Sequence, residues 1–304
     1  MRLIVQPDDG LAPIVTAVKQ ARKSIEVMIF RFDRRELEGA LAAAVARGVA
    51  VRALIAHTTG EGVRALRKLE LRLLEAGLTV ARTDDDLVRY HSKYLIVDRA
   101  RLFVLGFNFT TLDTRRSRSF GIEVRTKALV NDALDLFEAD ANRQPVPPVH
   151  RDLVVSPANS RERLGAFVKG ARRELLIYDP KLSDARMIRL IRDRIRAGVS
   201  VRVLGRVAKE GADIPSERLS GGRLHIRAIL RDGTAAFIGS QSLKRLELDK
   251  RRELGIIVRD ARVTRQMAEI FEADWTKAAP KSVERDEESR KARTGEADAA
   301  VAPQ

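Results

Sequence analysis

The stretch HSKYLIVDRARLFVLGFN, residues 91–108, has a counterpart in HIRAILRDGTAAFIGSQ, residues 225–241. The first aligns His91, Lys93, Asp98, Gly106 and Asn108, and the second His225, Arg227, Asp232, Gly239 and Gln241. In each, an apolar run, a polar turn and a second apolar run read as a β hairpin. In the first copy these are Leu95–Val97, Asp98–Arg101 and Leu102–Leu105. Residues i and i+2 of a strand share a face, so His91 and Lys93 present an imidazole and an ammonium side by side. The returning strand brings Asn108 toward the same spot. An imidazole, a fixed cation and an amide converging on one point suit a phosphoryl group. Cation and amide hold the non-bridging oxygens while the imidazole reacts at phosphorus or at the leaving oxygen. Asp98 ends its strand and reads as a turn residue.

Working outward, the hairpin belongs to a duplication of the whole chain. Leu3–Pro7 matches Leu153–Pro157, Ala21–Ile25 matches Ala171–Leu175, and Arg47–Arg52 matches Ala197–Arg202. Further on, Phe137–Asp140 matches Phe271–Asp274 at a shorter offset. The extra material of the first half, GVRALRKLELRLLEAG, has helical spacing, whereas 209–223 is polar and Gly-rich and reads as a loop. In the first half, 2–5, 25–30, 51–55 and 122–125 read as strands, and 11–22, 35–47 and 131–142 as helices. Gly48 stands at a helix C-terminus. Alternating strands and helices predict α/β layers. The expected organisation is a first repeat over 1–144, a Pro-rich linker over 145–150, a second repeat over 151–275 and a disordered tail over 276–304.

The chain has 304 residues, no Cys and a formal net charge of +15, most of it from Arg. Absence of Cys excludes disulfides, a thiol nucleophile and thiolate metal sites. No stretch approaches the ~20 apolar residues of a membrane span. The opening MRLIVQPDDG does not read as a signal peptide, so the expected compartment is cytoplasmic. The positive field favours polyanions, either nucleic acid or anionic lipid headgroups. Of the four histidines, His57 and His150 have no repeat counterpart and read as structural. Arg115, Arg116 and Arg118, and Lys244, Arg245, Lys250, Arg251 and Arg252, follow the two hairpins and are expected to rim a common cleft.

The paired His-x-(Lys/Arg)-x4-Asp motifs with their downstream Gly-x-(Asn/Gln), in an internal duplication, resemble the phospholipase D superfamily. The resemblance spans residues 1 to about 275. It implies two pseudo-twofold-related α/β sandwich repeats with one active site at their seam. It also implies a two-step, cofactor-free and metal-free phosphodiester reaction through a phosphohistidine. His91 is then the nucleophile and His225 the general acid, and Lys93, Asn108, Arg227, Gln241 and Glu253 complete the site. Glu253 lies 28 residues after His225, where the family often places a Glu that holds the imidazole; the first half has Ser119 there. For His91 the partner is either Glu123 or Asp113. The implied substrate is a phospholipid headgroup ester or a nucleic acid backbone, with peripheral contact to an anionic membrane an accompanying expectation. Arg227, Gln241 and Ser119 depart from the pattern and support an alternative: a catalytically weak phosphate- or nucleic-acid-binding protein.

Overall fold

A computed structural model describes residues 1–58 and 63–278. The first half runs β1 (Arg2–Gln6), α1 (Ala12–Gln20), β2 (Ser24–Ile29), α2 (Arg35–Ala46), β3 (Ala50–Ile55), α3 (Val63–Glu75), β4 (Thr79–Arg82) and β5 (Arg89–Tyr90). It continues through β6 (Tyr94–Val97), β7 (Arg101–Leu105), α4 (Thr111–Arg115), β8 (Ser117–Val124) and α5 (Lys127–Ala141). The second half runs β9 (Leu153–Ser156), α6 (Ser160–Lys169), β10 (Glu174–Leu182), α7 (Ala185–Arg196), β11 (Ser200–Val207), β12 (Ser216–Glu217) and β13 (Arg223–Leu224). It ends with β14 (Ala228–Arg231), β15 (Ala235–Gly239), α8 (Arg245–Asp249), β16 (Arg251–Val258) and α9 (Ala261–Ala278).

Each half builds one mixed sheet. The first has the order β1-β8-β7-β6-β2-β3-β4 and the second β12-β11-β10-β14-β15-β16, with β9 also on β16. β2 pairs β3 and β10 pairs β11 in parallel, each across a helix, while the hairpins β6–β7 and β14–β15 are antiparallel. Central strands sort their side chains by parity. Ile25, Val27 and Ile29 of β2 enter an outer core with α1, α2 and α3, whereas Met28 enters a shared inner core. β7 divides likewise, Phe103 and Leu105 outward, Leu102 and Val104 inward. A strand covered on both faces must be apolar throughout, which explains the unbroken runs in the sequence. The inner core draws on both sheets and on α5 and α9; a third cluster lies under α6, α7 and α8.

Gly48 and Gly198 end α2 and α7 at φ +83°, a left-handed position at which a Cβ would be strained. Asp98 and Asp232, both at φ +55°, turn the two hairpins. Each carboxylate accepts three backbone N–H groups from the strand entry alongside: Arg22, Lys23 and Ser24 for Asp98, and Arg172, Arg173 and Glu174 for Asp232. The expected loop over 209–223 contains a 3₁₀ turn at Lys209–Gly211 and two-residue strands β12 and β13. The α9 helix continues to Ala278, and the rest of the expected disordered tail lies outside the described residues.

The halves exchange their shortest strands. β5 of the first half pairs in parallel with β16 of the second, and β13 of the second pairs in parallel with β8 of the first. Two ion pairs close the same seam, Arg252–Asp140 at 3.0 Å and Arg118–Asp274 at 3.1 Å.

Candidate active site

The exchanged strands place the histidines. The residue after β5 is His91, whose N–H donates to Arg252 O at 2.7 Å; the residue after β13 is His225, whose N–H donates to Arg118 O at 3.0 Å. Each imidazole therefore hangs from backbone of the opposite half. Both line one cleft of about 520 Å³.

The carboxylates cross the seam as well. Glu253, fully buried, holds His91 Nδ1 with both oxygens at 2.9 Å. His225 Nδ1 faces Asp113 Oδ2 of α4 at 3.5 Å, and the Ser119 hydroxyl donates to His225 O at 3.4 Å. Neither partner expected for His91 serves it: Asp113 faces His225, and Glu123 is taken by Arg101 at 2.9 Å and Arg125 at 3.0 Å. A neutral His91 donating from Nδ1 to a carboxylate keeps a lone pair on Nε2, the nitrogen a nucleophile needs.

Burial, reinforced by Lys93 and Arg227, pushes the His91 imidazole well below its ordinary 6.5. Burial and Arg227 do the same to His225. Glu253 is pushed up by burial against the opposing charge of Lys93. Burial lowers the Lys93 ammonium to about 7. Its Nζ donates to His91 O and lies 5.1 Å from the Phe30 ring centroid, beneath the cleft floor. Burial would raise Asp113, but the facing His225, both N–H donors of Asn108 and the Arg223 guanidinium outweigh it and hold the carboxyl low.

Asn108 lines the cleft and gives its backbone N–H and its Nδ2 to Asp113, at 2.8 and 2.6 Å. Arg227 also lines the cleft, donating to His225 O at 3.2 Å with Glu247 3.5 Å from its Nε. Gln241 does not join them. Its Nε2 donates to Val154 O at 2.8 Å, outside the cleft lining. The ladder gives the reason: Leu105 N donates to Lys93 O as Gly239 N donates to Arg227 O, and Gly106 N to Phe120 O as Ser240 N to Leu254 O. The structural counterpart of Asn108 is therefore Ser242, whose N–H donates to Glu247 at 2.7 Å.

The cleft carries Arg31, Arg89, Arg206, Arg218, Arg223 and Arg227, and among the described residues no acidic one lines it. None of the basic residues expected to rim it does so; Arg118 and Arg252 tie the seam instead. The missed signal is Arg-x-His, which precedes both motifs as Arg89-x-His91 and Arg223-x-His225. Among the described residues no group of three or more His, Asp or Glu side chains is gathered to hold a metal ion, and no helix is long and apolar enough to cross a membrane.

A family model described as cardiolipin synthase, PLD-like domain, matches residues 14–141 and 164–275. The mitochondrial cardiolipin hydrolase of Canis lupus familiaris is 31% identical over 132 residues, covering 43% of this chain and 50% of the relative. That of Mus musculus is also 31% identical over 132 residues, 43% of this chain and 58% of the relative. The chain thus spans little more than half the length of these curated relatives. Among solved structures, a polyphosphate kinase from Porphyromonas gingivalis superposes with a TM-score of 0.75 at 20% identity, over 89% of this chain and 46% of that one. A phosphatidylserine synthase from Haemophilus influenzae Rd KW20 gives 0.66 at 10% identity, over 91% and 85%. Identities this low speak to the fold alone.

Proposed function

The chain belongs to the phospholipase D superfamily, and we propose that it is a phosphodiester hydrolase or transferase working through a phosphohistidine, without a metal. The observation that carries the reading is that two imidazoles, each backed by a carboxylate from across the seam, line a single cleft. His91 Nε2 attacks phosphorus, and the P–O bond to the leaving group breaks. His225 gives its proton to the departing oxygen. In the second step His225 takes a proton from water or an alcohol, whose oxygen attacks phosphorus and releases His91. Glu253 stabilises the positive charge that appears on His91, and Asp113 supports the protonated form of His225. Arg227 supplies a cation toward the non-bridging oxygens from the cleft lining, and the buried Lys93 adds positive charge from behind His91, which suits a phosphorane-like transition state.

Turnover of a small chromogenic phosphodiester with EDTA present tests this. His91→Ala and His225→Ala should each abolish it, and quenched reactions should carry covalent phosphate on His91. Turnover that survives both substitutions would refute the reading.

Arg227 in place of Lys and Ser119 in place of Glu favour a second reading, a phosphate-binding protein without turnover. Asp113 stands against it, because it supplies His225 with the carboxylate that Ser119 lacks. Stoichiometric diester binding with no turnover in any diester would decide for the second reading.

A further inference from the structure

The duplicated Phe-Glu-Ala-Asp segment, Phe137–Asp140 in α5 and Phe271–Asp274 in α9, has no part in the chemistry above, yet its acidic residues lead to different places. Glu138 stays in its own half and holds Arg52 of β3 with both oxygens, at 2.5 and 2.7 Å. Glu272 holds Arg202 of β11 in the same way, at 2.7 and 2.5 Å. Asp140 and Asp274 instead reach across the seam. Asp140 Oδ1 accepts from Arg252 Nε at 3.0 Å, and Asp274 Oδ1 from Arg118 Nη2 at 3.1 Å. Each arginine has a second hold on the end of the strand alongside, Arg252 Nη1 on Ser156 O at 2.9 Å and Arg118 Nη1 on Gln6 O at 3.5 Å.

The same two arginines carry the histidines. His91 N–H donates to Arg252 O, and His225 N–H to Arg118 O. The residue after each arginine meets the same histidine again: Glu253 takes His91 Nδ1, and the Ser119 hydroxyl donates to His225 O. The ladders that bring them together, β5 on β16 and β13 on β8, are each two residues long. Pairing that short frays unless something else holds it. Asp140 and Arg252 are both buried, and Asp140 Oδ2 has no hydrogen-bond partner, so the carboxylate is directed at the arginine. A buried ion pair returns little more than its desolvation cost, so two of them at matching places contribute position more than net stability. None of the four residues lines the cleft.

We infer that Asp140 and Asp274 are positioning residues: through Arg252 and Arg118 they fix the carbonyls from which His91 and His225 hang, and through Arg252 the Glu253 carboxylate as well. The inference rests on the phosphodiesterase reading above and adds the residues that hold its geometry from outside the cleft.

Its test starts from the wild-type protein and hydrogen exchange. The His91 and His225 amides should exchange as slowly as those of β6 and β14; exchange as fast as a frayed chain end overturns the inference. In Asp140→Asn, kcat on a small chromogenic diester should fall about 10²-fold, the cost of a displacement on the order of 1 Å, with KM nearly unchanged. The His91 amide should exchange about tenfold faster while β6 keeps its wild-type rate. Glu138→Gln, on the same helix but tied to its own half, should leave kcat and His91 exchange at wild-type values. Because Asp140 acts through Glu253, Asp140→Asn should cost much less when added to Glu253→Gln than it does alone. Asp274→Asn should loosen the His225 amide and leave that of His91 alone. Its effect should be the milder of the two, since Tyr178 also holds Asp274 and Asp8 also meets Arg118. If Asp140→Asn fails to fold, Arg252→Lys serves: it keeps the charge but not the fork that reaches Asp140 and Ser156 O together, and should show the same losses in smaller measure. A folded Asp140→Asn with wild-type kcat and His91 exchange, or equal losses in Glu138→Gln, overturns the inference and leaves the phosphodiesterase reading standing. Wild-type protein that turns over no diester removes that reading, and exchange at the two histidine amides still decides whether the aspartates position them.

Discussion

Replacing Glu253 by Gln keeps the shape of the side chain and one acceptor for His91 Nδ1, but removes the charge. Both carboxylate oxygens lie 2.9 Å from that nitrogen, in a fully buried position. With charge centres about 4 Å apart and an effective dielectric of about 20, the attraction between the carboxylate and a cationic imidazole is about 4 kcal/mol. His91 becomes cationic only as it bonds to phosphorus, so this attraction favours the transition state over the ground state. Its loss should lower kcat about 10³-fold with a much smaller change in KM. A second signature follows from Lys93, whose ammonium is already depressed to about 7 by burial and is held up chiefly by Glu253. In Glu253→Gln its pKa must fall further, so the alkaline limb of the rate profile should move to lower pH. The assay is kcat and KM on a small chromogenic diester from pH 5 to 9, with thermal melting as a check on folding. A variant that melts like the wild type yet keeps more than a tenth of its kcat would show that Glu253 does not stabilise charge on His91.

The wild-type rate should rise on the acid side as His91 loses its proton and fall as the acid His225 loses its own, both below the ordinary 6.5, and should fall further as pH passes about 7 and Lys93 discharges. Lys93→Arg keeps a cation at every accessible pH. It should remove the fall near 7; an unchanged alkaline limb would mean another group titrates there. Asp113→Asn should slow the second step more than the first, so that phosphate accumulates on His91 in quenched samples; intact-mass spectra without it would count against the division of labour. Gln241→Leu strips Val154 O of its donor at a cost of about 1–3 kcal/mol. The melting temperature should therefore drop while kcat stays near wild type; a large loss of kcat without loss of stability would put Gln241 back in the site.

Much of the fold could be read from the sequence because its strongest signals are local. The hairpins announce themselves by apolar runs around Asp98 and Asp232, and the helices by spacing and by Gly48 and Gly198. The extra helix α3 also appears where the two halves differ in length. What escaped is what two-residue strands do. β5 and β13 are too short for any periodicity, so nothing in the sequence says that each leaves its own half to pair with the other. Matching Gly-x-Gln to Gly-x-Asn also places Gln241 one residue short of Ser242, the position that the ladder pairs with Asn108. Arg89, Arg206 and Arg218 were hidden by abundance: in a chain this rich in Arg, only the fold tells those in the cleft from those that tie the seam.

The exchange of strands changes how the departures from the family pattern must be read. If each motif served its own histidine, Ser119 would weaken His91 and Glu253 would support His225. Across the seam the assignment reverses. His91 gains the intact set, with Lys93 beside it and Glu253 opposite, while His225 makes do with Arg227 and the longer contact to Asp113. A nucleophile that must carry full positive charge in its covalent intermediate benefits most from a close, buried carboxylate. An acid–base that gives up its extra proton in the first step and regains it in the second never carries charge in the covalent intermediate, and works with a weaker partner whose charge is already shared among Asn108 and Arg223. The inequality between the halves is thus what a division of roles would produce, with His91 bonded to phosphorus and His225 moving the protons.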